Sequence, residues 1–167
     1  MSSNHRLPRP DALLCTKPQA WAHLHGSKCY PKLCGTVYFY SHPCGTLVVA
    51  EVEGLPDTRN ACSSPIFAFH IHDGGVCSGN AEDPFADVGT HYNPQGCPHP
   101  YHAGDLPPLF GANGYAFSVC LTDRFSLKEI IGKTIILHSF LDDFSTQPSG
   151  NAGAKIACGE IVGRICR

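Results

Sequence analysis

No stretch of the sequence is apolar over anything near the roughly 20 residues that a membrane-spanning helix needs, so no membrane span is expected. Charge is scarce as well. Charged residues are 16% of the chain and the formal net charge is −2, which leaves no surplus of either sign to draw nucleic acid or a lipid surface. The N-terminus, MSSNHRLPRPDALLCTKP, has basic residues but lacks an apolar stretch of about 7–15 residues. No secretory signal is visible there, and a cytoplasmic location is expected, the alternative being a chain that has lost its leader. The ten cysteines, at 15, 29, 34, 44, 62, 77, 97, 120, 158 and 166, lack Cys-x-x-Cys spacing, which argues against a zinc finger or a thioredoxin-type motif. Spacing assigns no pairings among them, and a mixture of buried small hydrophobes and free thiols is the simplest reading.

What the chain has instead is turn formers. Its 17 glycines and 14 prolines favour many turns and long loops over long helices. A chain of 167 residues suits one domain, which at this size buries about 68–70% of its unfolded surface. A flexible arm over 1–17 is expected to precede a domain over 18–167. Short strand-like runs recur between Gly, Pro and Asn: AWAHLHG (20–26), GTVYFY (35–40), TLVVAEVEGL (46–55), IFAFHIH (66–72), YAFSVCLT (115–122), TIILHSF (134–140) and KIACGEIVG (155–163). This spacing predicts an all-β fold, an antiparallel sandwich or Greek-key barrel. One short helix is expected in SLKEIIGK (126–133), where Ser126 and Glu129 have the form of a capping box and Gly132 can end the turn. Residues 73–113 read as one long, almost strandless loop. Loops beyond about 12–15 residues are usually functional or disordered, and the histidines concentrated here favour function.

On the run FAFHIH, alternation points Phe67, Phe69 and Ile71 to one face and Ala68, His70 and His72 to the other. One face is built for a core, and the opposite face carries two metal-ligand types side by side. The loop adds His91, His99, His102 and Asp105, and three imidazoles with one carboxylate suit a tetrahedral zinc site. His138 ends another strand-like run. Singly, each of these is more simply read as a surface, loop or hydrogen-bonded core residue. His23 and His25, which alternate with Ala22 and Leu24 on the first run, are expected to be exposed rather than ligands. Cys97, two residues before His99, reads as a loop thiol or as an alternative soft ligand.

Taken in order, FHIHDGG, GTHYNPQG, HPYHAGDLP, GKTIILHSFLDD and GNAGAKIACGEI, spread over essentially residues 20–163, resemble the copper/zinc superoxide dismutases. The resemblance implies an eight-stranded Greek-key β-barrel of immunoglobulin-like sandwich architecture with two long functional loops. It implies copper held by His70, His72, His91 and His138, and zinc held by His91, His99, His102 and Asp105, with His91 bridging the two. Asp142 would link ligands of both metals, and Cys77 and Cys158 would form a disulfide. The implied reaction is disproportionation of superoxide to oxygen and hydrogen peroxide, with no nucleic-acid partner. His91 would carry a proton, and Lys155 would attract the anion.

Lys155 is a departure, because the family usually has an arginine there. Lysine keeps the charge but not the planar fork. GDLPPLF and TQPSG resemble the prokaryotic subgroup, which builds its dimer differently from the eukaryotic enzyme, so a homodimer is expected without a defined interface. The alternative is a copper-delivery or metal-binding module on the same fold. Against it, the chain has no Met-x-Cys-x-x-Cys and keeps every copper ligand.

Overall fold

The computed structural model describes residues 15–56 and 65–164. Of the arm expected at 1–17, residues 1–14 lie outside the described residues, as do Cys62 and Cys166. The strands are β1 (Ala20–Gly26), β2 (Cys34–His42), β3 (Gly45–Glu53), β4 (Ile66–His72), β5 (Asp105–Phe110), β6 (Tyr115–Thr122), β7 (Thr134–His138), β8 (Lys155–Glu160) and the two-residue β9 (Val162–Gly163). They pair in the order β5-β4-β7-β8-β1-β2-β3-β6, with β9 beside β1, and every pairing is antiparallel. Residues from both end strands, among them Pro107, Pro108, Cys120 and Leu121, line one shallow groove. The sheet is therefore a nearly closed barrel of eight strands.

Period-two alternation fills the inside. Ala20, Ala22 and Leu24 of β1, Val37 and Phe39 of β2, Val48, Ala50 and Val52 of β3, Phe67, Phe69 and Ile71 of β4, and Ile135 and Leu137 of β7 meet in one buried cluster. Side chains of the opposite parity face outward. One cross-strand row of that parity runs Asp105, His70, Ile136, Cys158, His25, Cys34, Glu53. Over its first half the row is covered by loops, and His70 and Cys158 are both 0% exposed. Over its second half it is open, and His23 and His25 are exposed as expected.

Three sequence expectations need correction. The stretch 73–113 is not strandless: DLPPLF forms β5, and Ala86–Val88 make a 3-10 turn. Pro107 and Pro108 masked the strand, yet proline is admissible here because β5 ends the hydrogen-bonded path and one side of it has no ladder to donate to. The helix, α1 (Leu127–Ile130), is one turn rather than 126–133. Its start is as read, with the Ser126 N–H donating to Glu129 Oε2 at 2.7 Å. It stops because Ile131 is already extended. The run 155–163 is two strands, broken at Ile161, which turns into the core at 1% exposure.

Cys77 and Cys158 form a disulfide with their Cα atoms 5.7 Å apart, closing a separation of 81 residues. It ties the loop after β4 to β8. Phe85 and Val88 from that loop pack with Ile136 and Cys158 in a small second core. The six other described cysteines are free thiols. Loop-closure entropy for this span amounts to roughly 4–5 kcal/mol. Cys158→Ala is expected to lower the unfolding free energy of the metal-free protein by about 2–5 kcal/mol, read by urea titration. Reduction of the unmutated protein should cause a similar loss, and no change on reduction would contradict the tethering role.

Candidate metal centre

Six histidines and two aspartates gather on the outer side of β4, β5 and β7. His70 and His72 come from β4, Asp105 opens β5, and His138 ends β7. His91, His99 and His102 come from the loop between β4 and β5. Backbone bonds press that loop onto the strand: the Ile71 N–H donates to Gly104 O at 2.9 Å and the Tyr92 N–H to Ile71 O at 2.8 Å. A Cβ on residue 104 would stand 2.3 Å from Ile71 O, so only glycine permits the approach.

All six imidazoles are buried, none more than 6% exposed. They form two sets whose candidate ligand atoms lie within 4.8 Å of one another, namely His70, His72, His91 and His138, and His91, His99, His102 and Asp105. His91 belongs to both. Its Nδ1 lies 2.7 Å from Asp105 Oδ1 and 3.4 Å from His102 Nδ1. Its Nε2 is buried without a partner, which leaves that nitrogen for the other set.

Four of the other rings, His70, His72, His99 and His138, are oriented through the nitrogen that faces away from the sets. Asp142 Oδ2 accepts from His70 Nε2 at 2.9 Å and Asp142 Oδ1 from His99 Nε2 at 2.8 Å. Gly89 O lies 2.9 Å from His72 Nδ1, and Gly153 O 3.4 Å from His138 Nδ1. The inward nitrogens are then lone-pair donors. His70 Nδ1 has no partner, and His99 Nδ1, though 3.0 Å from Asp105 Oδ2, is out of line for a hydrogen bond. His72 Nε2 and His138 Nε2 face each other at 3.4 Å. Buried nitrogens do not stay unsatisfied without cause, and cations at two adjacent points would satisfy them. The all-imidazole set suits copper, and three imidazoles with a carboxylate suit zinc.

Burial favours the neutral form of His70, His72, His102 and His138, the form in which imidazole binds metal. Desolvation, reinforced by the neighbouring His138, holds His72 down at about 2, and desolvation with His70 nearby holds His138 at about 3. His70 and His102 are lowered too, again chiefly by burial. Burial pushes Asp142 upward, but the hydrogen bond from His70 and those that follow outweigh it, and the carboxyl sits at about 2. Asp105 is likewise lowered, its burial overcome by the hydrogen bond with His91.

Four residues that hold this centre were not singled out by the sequence, although Gln147 and Gly150 lie within the TQPSG stretch. A Cβ on Gly150 would fall 1.9 Å from Asp142 Oδ1 and 2.6 Å from His99 Nε2, and the residue has φ +68°. Gln147 exchanges bonds with the His99 backbone, 2.9 Å from the N–H to Oε1 and 2.7 Å from Nε2 to the carbonyl. Arg124 Nη1 donates to the carbonyls of Pro100, His102 and Asp105 at 3.1–3.3 Å. The fourth, Asp83, pairs with Lys155. Both residues line an open cavity of about 610 Å³ together with His72, His91 and His138. Cys97 is partly exposed, and its backbone bonds to Asn93. It is absent from both ligand sets.

Two fused ligand sets sharing one imidazole, on an antiparallel barrel, define a β-barrel with a candidate dinuclear metal centre. The comparisons with known proteins name the family. Residues 33–161 match the model of the copper/zinc superoxide dismutase family. A Cu-Zn superoxide dismutase from Photobacterium leiognathi is 33% identical over 141 residues, covering 76% of this chain and 78% of that protein. One from Deinococcus radiodurans is 31% identical over 147 residues, covering 77% and 76%. Among solved structures, a double mutant of a superoxide-dismutase-like protein from Bacillus subtilis superposes with a TM-score of 0.70 at 31% identity, covering 86% of this chain and 97% of that one. The Cu/Zn superoxide dismutase of Brucella abortus, at 24% identity and TM-score 0.69, supports the fold. The chain belongs to the copper/zinc superoxide dismutase family, and membership implies copper and zinc.

Two predictions follow from the geometry. Unfolded histidines titrate near 6.5, whereas folded His72 and His138 resist protonation until about pH 2 and 3. Between those values the unfolded state binds more protons, so stability rises with pH. Thermal melts of the metal-free protein should show stability falling from pH 7 to pH 5, at up to about 1.4 kcal/mol per proton per pH unit. A flat profile would mean that the rings are solvated. Gly150→Ala, by displacing Asp142 from His99, is expected to weaken zinc binding about 10–100-fold in chelator competition, while β-sheet circular dichroism stays intact.

Proposed function

We propose that this protein is a superoxide dismutase in which His70, His72, His91 and His138 hold copper and His91, His99, His102 and Asp105 hold zinc. The observation that carries the reading is His91, whose two ring nitrogens serve two different ligand sets. Copper, when bound, supplies the one-electron cycle by which one superoxide is oxidised to oxygen and the next reduced, with two protons, to hydrogen peroxide. The chain's own residues prepare that exchange. Asp142 and the carbonyls of Gly89 and Gly153 fix the tautomers that aim four nitrogens inward. His91 lines the cavity, so its Nε2 can hold a proton for the peroxide product. Lys155, cross-strand partner of His138, is the one Lys or Arg among the described residues lining the cavity, and orients the anion.

A cytoplasmic location belongs to the same reading, since Cys15, Cys29, Cys34 and Cys44 are exposed free thiols of the kind that persist where thiols are kept reduced. So does a homodimer. Phe117, Val119 and Leu121 on β6 are 41–56% exposed and share one outward face, an apolar stripe that a second copy would cover. Sedimentation at micromolar concentration reads the assembly directly.

The test is reconstitution with copper and zinc followed by assay of superoxide removal. Turnover that persists when a chelator silences free copper is expected, and in His91→Ala the copper absorption and paramagnetic-resonance spectra should no longer respond to whether zinc is bound, while each site stays able to bind. Tight metal binding without turnover would overturn the enzyme reading in favour of metal delivery.

A further inference from the structure

Lys155 does not present an unaccompanied charge to the cavity. Its Nζ pairs with Asp83 Oδ2. The two partners are held very differently. Asp83 sits in a tight turn: its N–H donates to Asn80 Oδ1 at 2.9 Å, its carbonyl accepts from the N–H of Asn80 and of Ala86, and its Oδ1 accepts from the Phe85 N–H at 3.0 Å. Phe85 is anchored in the small core beside the Cys77–Cys158 disulfide. The carboxylate is therefore fixed, with Oδ2 left over for the ammonium, while Lys155 reaches it on a flexible stem. The lysine side chain is 18% exposed and that of Asp83 39%. Charges along the cavity are Lys155 against Asp83 and Glu82, a balance unfavourable to an anion.

Resting on the dismutase reading, we propose that Asp83 is a positioning and specificity residue that holds Lys155 Nζ and competes with a small anion for it. An arriving anion takes over the ammonium from Oδ2, so capture costs one partly exposed ion pair and release restores it. No covalent bond changes in this exchange. The pair keeps the approach open to small, strongly attracted anions and disfavours larger oxyanions, which must also meet the fixed carboxylate of Asp83 and the exposed one of Glu82. It also adds a tether between the same loop and β8, besides the disulfide and the bond from Cys77 N–H to Glu160.

The test uses the copper–zinc protein titrated with azide by visible absorption, and the zinc-loaded, copper-free protein titrated with inorganic phosphate while the lysines are followed by NMR. Asp83→Asn is expected to tighten azide binding roughly three- to fivefold, the scale of a partly exposed ion pair, and to steepen its weakening by salt. Asp83→Glu should return both to the starting values. Lys155→Met should weaken azide binding and invert the salt response, because the two carboxylates remain. In the Lys155→Met background the gain from Asp83→Asn should shrink to less than half. In the copper-free protein the Lys155 signal should respond to phosphate at lower concentration once Asp83 is neutralised. An unchanged azide affinity in Asp83→Asn, a gain of equal size in the Lys155→Met background, or an identical phosphate response would each overturn the proposal. Loss of azide binding and of turnover in the unmutated protein would strike the dismutase reading instead, and the phosphate titration would still decide the role of Asp83.

Discussion

Six imidazoles buried within one wall of a barrel set the constraint on which the rest of this structure depends. A buried ring nitrogen without a partner is costly, and twelve nitrogens cannot be matched by the carbonyls within reach. Asp142 resolves much of this. One carboxylate, itself 2% exposed, accepts from His70 on β4 and from His99 in the loop that follows. Each acceptance fixes a tautomer and turns the opposite nitrogen inward. Because His70 belongs to one ligand set and His99 to the other, Asp142 couples the two sets through the protein, independently of His91. A shift of this carboxylate would therefore disturb strand and loop together.

That coupling requires the loops to hold still, and few of the contacts that hold them are hydrophobic. Arg124 ties three carbonyls of the segment carrying His99 and His102 to the start of α1. Gln147 clasps the His99 backbone from the loop before β8. The loop after β4 is joined to β8 by the disulfide, by the Asp83–Lys155 pair, and by the Cys77 N–H donating to Glu160 Oε1 at 3.1 Å. Backbone carbonyls that no ladder satisfies thus become fixed points, and the planar fork of one arginine can hold several at once.

Local period explains what could be read in advance. FAFHIH declares a strand with a chemical outer face because alternation needs only neighbouring residues, and Ser126 with Glu129 declares a helix start for the same reason. The histidines that the fold gathers into the two candidate sets were legible through the order of their motifs rather than through any one of them. β5 was hidden because Pro107 and Pro108 argue locally against a strand, and only the sheet order makes β5 an edge. Gly150, Gln147, Arg124 and Asp83 were silent for a different reason. Their partners lie 8 and 51, 48, 19–24 and 72 residues away, so no spacing rule reaches them, and each acts by fitting a surface that exists only after folding.

Exposure differs by degree between the two ligand sets. Three members of the all-imidazole set, His72, His91 and His138, line the cavity, against His91 and His102 of the other set, while His70, His99 and Asp105 do not reach it. The set that meets solvent more widely has the pattern of a reactive site, and the better covered one that of a structural site. The chemistry of the donors agrees with the geometry, since imidazoles suit a metal that changes oxidation state and three imidazoles with a carboxylate suit one that does not. Burial follows the same division at the ring nitrogens. His70, the member of the open set furthest from solvent at 0% exposure, is the one held by Asp142, while His72 and His138 are held by backbone carbonyls at the cavity wall. The charged orienting group is thereby kept on the closed side, away from an anionic substrate that Asp83 and Glu82 already oppose.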